Sequence, residues 1–395
     1  MLKKQLPVFF LILLLAGMFW SRALMSLTQG LWLIYALTMG WKQLTIKTPL
    51  LIWSLIPLLF WVFGAYQAPF AKANLDLALT LAMYPATVII VQDTDNKIRE
   101  NQWLKIWLFA ALIGLAYPLT HYFLNSHLAN EGYGAGKSLP TFMDTDHVRF
   151  SIFLCSALLF LCCFPFWNKK LRISMGIFLL FVILFLSVRT GWVILLSMGL
   201  LFPILRYLQI KKYAIKKMLF GLLLLFVAIS ISYALFPSMQ QKIAYSIWDW
   251  NQFEPGKYQP NYSDGTRMAI NYAACKSIQS GASNIGWANI PTSLNQSFSK
   301  YFNGAKTEFG WPFNQWLFWW MGAGWWGMFL FSGWLFYPIW EGWKNKNMGL
   351  IIWTIAIAFS CLAETTINYQ YGAFLHIFPL AMLWKYRASV IFDNS

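Results

Sequence analysis

Charge is scarce in this chain: Asp, Glu, Lys and Arg make up 11% of its 395 residues, and the acids number only 14. A soluble domain carries about a quarter charged residues, so an ordinary solvated surface is excluded. Histidines number 4 and cysteines 5. His121, His127, His147 and His376 show no HExxH or paired-ligand spacing, so the sequence implies no metal. Cys155, Cys162, Cys163 and Cys361 fall in apolar runs and Cys275 alone falls in a polar stretch, which excludes a disulfide framework and a CxxC site. No Walker-type glycine loop occurs, and Gly132 to Gly136 reads as a flexible outer turn. No cofactor is expected.

Apolar and aromatic residues are abundant instead, at 58% and 19%. Apolar runs of about 15 to 20 residues alternate with short basic connections, the pattern of an all-α polytopic helical membrane protein and not of a β-barrel. The predicted spans are residues 6–20, 23–40, 50–66, 75–91, 103–119, 148–167, 173–188, 191–207 and 218–236. Residues 313–340 are too long for one crossing and too short for two. They read as an interfacial lead-in over 313–322, a break at Gly322-Ala323-Gly324 and a single crossing. Spans at 349–363 and 371–384 bring the total to about twelve transmembrane helices. The first run follows Lys3-Lys4 like a signal peptide but lacks a small-residue cleavage site, and is read as the first helix. Three parts follow: transmembrane helices over 1–236, one large outer loop with short helices over 237–312, and the lead-in with the last three helices over 313–395.

The net charge of +16 gathers in the connections at Lys3-Lys4, Lys42 with Lys47, Lys97 with Arg99, Lys169-Lys170 with Arg172, the run 206–217, Lys344 with Lys346, and Lys385 with Arg387. With about twelve spans every such cluster falls on one face, which places both termini in the cytoplasm and the loops 120–147 and 237–311 outside. Topology therefore accounts for the basic excess, and nucleic-acid binding is not expected.

Charges kept at the outer membrane face are costly and mark function. Arg189 follows the apolar run 177–188 and opens Arg189-Thr190-Gly191-Trp192, read as a tight turn; a snorkelling arginine is the plain alternative. Arg149 lies just inside a helix behind Asp144, Asp146 and His147, where a local Arg–Asp pair is the plain alternative. Ser263 or Asp264 is placed to cap a helix toward Ser280, with Arg267 in its first turn. A cation there opposes the helix dipole but meets an anion beside free amides; an ion pair with Asp264 or with a loop acid is the alternative. Converging arginines clamp a pyrophosphate in bidentate fashion, as in an isoprenoid pyrophosphate-linked sugar, and neutralise it as a leaving group without metal. A base is then needed for the acceptor hydroxyl: Glu308 and Glu364 are the candidates, with Asp144, Asp146 and His147 behind them.

The order Arg189-Thr190-Gly191-Trp192, an arginine-led helix at Arg267, Asn284-Ile285-Gly286, then Pro312-Phe313-Asn314-Gln315-Trp316-Leu317 before Gly324-Trp325-Trp326-Gly327 resembles the O-antigen ligase and polymerase superfamily over residues 140–385. Asp146-His147-Val148-Arg149 and the stretch from Glu364 to Gly372 resemble segments of some members. The resemblance implies a C-type, inverting, metal-independent glycosyltransferase of the bacterial inner membrane. It would move a glycan from undecaprenyl pyrophosphate, on the periplasmic face, to lipid A-core or to another lipid-linked glycan. By the same resemblance Arg189 and Arg267 hold the pyrophosphate, joined by Arg149, Asn314, Gln315 and Glu364 as substrate-binding residues. Where the family carries a histidine before the asparagine, this chain has Phe313, which neither takes a proton nor donates a hydrogen bond. Glu308 or His147 is then expected to serve as base, or the chain binds a lipid-linked glycan without transferring it.

Trp311, Trp316, Trp319, Trp320, Trp325 and Trp326 suit a membrane interface, and equally sugar stacking. A polysaccharide transporter is the rival class. Against it stand helix cores nearly free of charge and polar groups gathered at one face instead of the midplane.

Overall fold

The computed structural model describes residues 2–40, 48–66, 70–93, 100–143, 146–209, 215–254 and 263–386. Among these the fold is all-α, with sixteen helices and no strand. Lys42, Lys47, Lys97, Arg99, Asp144, Arg387 and residues 210–214 of the basic run lie outside the described residues.

The apolar runs fold as α1 (Leu2–Trp20), α2 (Arg22–Gly40), α3 (Pro49–Ala65), α4 (Lys72–Asp93), α5 (Glu100–Leu124), α7 (His147–Cys163), α8 (Lys169–Phe185), α9 (Arg189–Gln209) and α10 (Ile215–Leu235), with the short α6 (Ser126–Gly134) after α5. Helices α14 (Gln315–Lys344), α15 (Met348–Ala363) and α16 (Gln370–Lys385) complete the bundle. Polar caps start several of them: Thr48 accepts from the Leu51 amide at 3.3 Å, Asn168 from Leu171 at 2.8 Å and Asn347 from Leu350 at 3.1 Å. By length and apolarity four described helices are able to cross a membrane alone: Lys72–Gln92, Asn101–Leu124, Arg189–Leu208 and Ile215–Leu235. Four more are apolar but shorter: Gln5–Trp20, Pro49–Ala65, His147–Cys163 and Met348–Ala363.

Helices apolar on every face belong in the centre. That is where α7, α15 and α16 lie, buried along nearly their whole lengths; α15 packs on α14 and α9, and α16 on α4 and α7. In contrast, α10 is apolar but almost wholly exposed at the periphery. Trp53 of α3 and Trp334 of α14 lock two helices by reciprocity: each indole donates to the other's carbonyl, at 2.8 and 3.1 Å, and the rings stack with centroids 5.1 Å apart.

Residues 237–254 and 263–311 are helical in large part. They form α11 (Pro237–Gln252), α12 (Ser263–Gln279) and α13 (Ile290–Tyr301). Gly136 is not a free turn either: its carbonyl accepts from the Lys242 ammonium, and the Tyr245 ring packs on it. The break foreseen in α14 falls at Gly324, whose φ of 74° is in the region that favours glycine. The chain around Asn284 takes up the carbonyls that the break frees. The amides of Ile285 and Gly286 donate to Met321 and Gly322 at 2.9 and 3.0 Å. Trp287 then wedges its ring between Gly64 and Gly322, where a Cβ at either glycine would stand 2.2 or 2.0 Å from the indole. Its Nε1 donates to the Trp61 carbonyl at 2.9 Å. The helices α11 to α13 and the bundle are thus one packed unit.

Candidate functional site

Asp146 caps α7, accepting from the Arg149 amide at 3.1 Å, and the Arg149 side chain folds back so that Nη1 meets the same carboxylate at 3.1 Å. The local pair expected from the sequence exists, but it is half of the arrangement. Arg149 Nη2 reaches Glu364 Oε2 at 3.1 Å, and its guanidinium lies 4.4 Å from the Tyr369 ring centre. From the opposite side, Arg267 Nη2 donates to Glu364 Oε1 at 2.6 Å. Two arginines from α7 and α12 therefore grip one carboxylate whose side chain is 5% exposed. Burial alone would raise the Glu364 pKa; the guanidiniums of Arg149 and Arg267 outweigh it and hold the carboxyl below its usual range.

Glu364 stands where α15 ends, and the segment after it is pinned by α14. Gln315, fully buried, donates from Nε2 to Asn368 Oδ1 at 2.7 Å and accepts from the Ile367 amide at 3.2 Å. Asn314 caps α14 through the Trp316 and Leu317 amides at 2.9 and 3.2 Å, and its Nδ2 donates to the Leu362 carbonyl at 3.3 Å. Both polar groups hold the Glu364 segment in place.

Arg189 and Asp264 are placed differently from the local turn and cap read in the sequence, and they pair with each other. The turn lies earlier, at Leu186 to Val188 with Ser187 at φ 54°, and Arg189 is the first residue of α9. Its Nη1 donates to Ser246 Oγ at 2.9 Å and to Asp264 Oδ2, and its Nη2 to Ser263 Oγ at 2.7 Å. With both side chains taken by Arg189, neither Ser263 nor Asp264 caps α12. Asp249 of α11 does so from outside, accepting from the amides of Asp264 at 2.6 Å and Gly265 at 3.0 Å. Arg267 accordingly pairs with Glu364 instead of Asp264.

A cleft of about 230 Å³ opens beside these charges, lined by Phe309, Gly310, Trp311, Phe313, Thr365 and Tyr369. Phe313 faces Arg267, with the guanidinium 5.3 Å from its ring centre. His147, first residue of α7, lies within electrostatic reach of Asp146, Glu364, Lys242 and Arg267. Glu308 is exposed, and among the described residues no ion pair or hydrogen bond ties it to the cluster. Of the tryptophans, Trp311 lines the cleft, Trp319 is buried against Trp287, and Trp325 and Trp326 are exposed and stacked at 3.8 Å.

Sequence reasoning missed Asp249, Lys242 and Tyr369. For the first two a signal exists: Lys242, Ser246 and Asp249 recur at helical spacing on one face of α11, where Lys242 meets the link after α6, Ser246 accepts from Arg189 and Asp249 meets the start of α12. Among the described residues no group of three His, Cys, Asp or Glu side chains is arranged to hold a metal ion. The arrangement presents two buried or half-buried guanidiniums to one carboxylate, beside an aromatic cleft. No protein-family model matches this chain, and no curated protein matches it.

Proposed function

We propose that this is a polytopic inner-membrane protein of about twelve spans, both termini cytoplasmic, that handles an undecaprenyl pyrophosphate-linked glycan at its outer face and transfers the glycan to an acceptor hydroxyl, as O-antigen ligases and polymerases do. The observation that carries the reading is the convergence of Arg149 and Arg267 on the buried Glu364, with both guanidiniums against rings that line an aromatic cleft. Four helices long enough to cross a membrane and four shorter apolar ones support the setting.

In this reading Arg267, the more exposed of the two, swings from Glu364 to the pyrophosphate. Glu364 is left with one cationic partner and becomes more basic. Phe313 takes no proton, so Glu364 or the neighbouring His147 accepts the one from the acceptor hydroxyl. The acceptor oxygen bonds to the anomeric carbon as the bond to the pyrophosphate breaks, and undecaprenyl pyrophosphate leaves with its charge met by arginine. Lipid A-core and a second lipid-linked glycan are the two acceptors. A second reading, binding without transfer, is favoured by one observation: a carboxylate gripped by two guanidiniums is a poor base until one of them leaves.

The test is transfer by the purified protein from undecaprenyl pyrophosphate-linked glycan to either acceptor. Expected are activity in wild type and in Glu308→Gln, and a loss of at least about a hundredfold in Arg267→Ala and in Glu364→Gln or His147→Gln. Glycan binding without product in wild type selects the second reading; neither binding nor product removes both.

A further inference from the structure

A second cavity, of about 280 Å³, lies between the end of α5 and the link into α7. His121 and Asn125 come from the α5 end, Leu128, Ala129 and Gly132 from α6, and Lys137, Ser138, Leu139 and Pro140 from the link. Its polar side is cationic. Lys137 is exposed, and the buried Nδ1 of His121 has no hydrogen-bond partner among the described residues. The nearby carboxylate of Glu131 is engaged by His127 at 3.4 Å. Its other side is apolar, and the apolar surface continues outward over Phe123, Leu124 and Leu128, which are 77%, 77% and 66% exposed.

A cationic recess joined to an exposed apolar rim suits an amphiphile with a negative head. The volume is at the small end for ligand sites and has room for a phosphate ester and its first attached atoms, not for an oligosaccharide. We infer that this cavity binds the headgroup of an anionic, phosphate-bearing membrane lipid, with Lys137 and His121 on the phosphate and the lipid chains over Phe123, Leu124 and Leu128. The inference rests on the membrane setting proposed above and not on the transfer reaction.

The site is coupled to the arginine cluster through covalent and hydrogen-bonded neighbours. Lys242 of α11 donates to the Gly136 and Lys137 carbonyls, and Asp249 of the same helix caps α12, which carries Arg267. The phosphate has two possible sources, a phospholipid of the surrounding bilayer or a phosphorylated glycolipid acting as acceptor.

The experiment is native mass spectrometry of the full-length protein in neutral detergent, with phosphatidylglycerol, phosphatidylcholine or a phosphorylated glucosamine lipid added. Wild type should retain phosphatidylglycerol over the zwitterionic lipid, and Lys137→Glu should lower that retention about tenfold while Lys137→Arg keeps it. Stronger retention of the glucosamine lipid, lost equally in Lys137→Glu, supports the site and assigns the phosphate to the acceptor. Equal retention of phosphatidylglycerol and phosphatidylcholine, or unchanged retention in Lys137→Glu, overturns the inference while leaving the membrane setting intact. A protein that stays dispersed once detergent is removed overturns the setting itself, and the inference with it.

Discussion

Glu364 is the residue on which the charges of the site balance. Removing one member of a buried ion pair costs about 3–5 kcal/mol because the partners stay behind uncompensated, and here two guanidiniums would be left. Glu364→Gln should therefore lower the unfolding temperature of the purified protein measurably, whereas Glu308→Gln, on an exposed side chain, should not. The pH dependence has a definite sign. A carboxyl held below its ordinary value in the folded state contributes stability above the unfolded pKa of about 4.5, and that contribution fades as pH falls below it. Acid titration of the unfolding temperature should show this loss in wild type and less of it in Glu364→Gln. The candidacy of Glu364 was legible in the sequence, as an acid at the end of an apolar run. Its partners were not, because Arg149 and Arg267 reach it from 215 and 97 residues away, and nothing local encodes so distant a contact.

At the scale of elements, α11 carries more than its polar composition suggested. Lys242 is 2% exposed and bonded to two carbonyls of the link after α6. Burial first, then the charges of Arg189 and Arg267, bring its pKa down to about 7 despite Asp264 and Asp249. Between about 7 and the ordinary 10.5 the unfolded chain binds a proton that the folded one does not, so stability rises with pH across that window, by up to about 1.4 kcal/mol per unit. Below it the cost of burying the charge is present in full. Lys242→Met should flatten that rise in a series of thermal melts from pH 7 to 10, and an unchanged slope would show that the lysine keeps its proton. Helix positions were legible because apolar runs and caps are local signals: residues 50–66 and 349–363 fold as Pro49–Ala65 and Met348–Ala363. The capping of α12 was not. Its cap comes from Asp249 on another helix, while the local candidates Ser263 and Asp264 are drawn off by Arg189.

For the whole molecule in the proposed membrane setting, the decisive property is which face α11 to α13 occupy. Cys275, on α12, and Cys162, near the end of α7, are exposed, while Cys155, Cys163 and Cys361 are buried. In a Cys162→Ser background, in intact cells with a permeable outer envelope, a membrane-impermeant maleimide should label the protein, and adding Cys275→Ser should abolish it; labelling at Cys275 that appears only after the inner membrane is opened would reverse the proposed orientation. The broad architecture was legible from composition, since a chain so poor in charge has few ways to fold except as apolar helices. The joint between α14 and the helices before it was half legible. Gly322-Ala323-Gly324 announced a break, but the insertion of Trp287 beneath it depends on Gly64, far away in sequence.

The reciprocal Trp53–Trp334 pair makes the bundle optically self-reporting. Two indoles stacked 5.1 Å apart with planes 12° from parallel have coupled transition dipoles, and such coupling gives an exciton couplet in circular dichroism that neither ring gives alone. With the contribution of the stacked Trp325–Trp326 pair left in place, Trp53→Phe and Trp334→Phe should each remove the same couplet from the wild-type spectrum. Its fading during denaturation would time the parting of α3 from α14 without any added label.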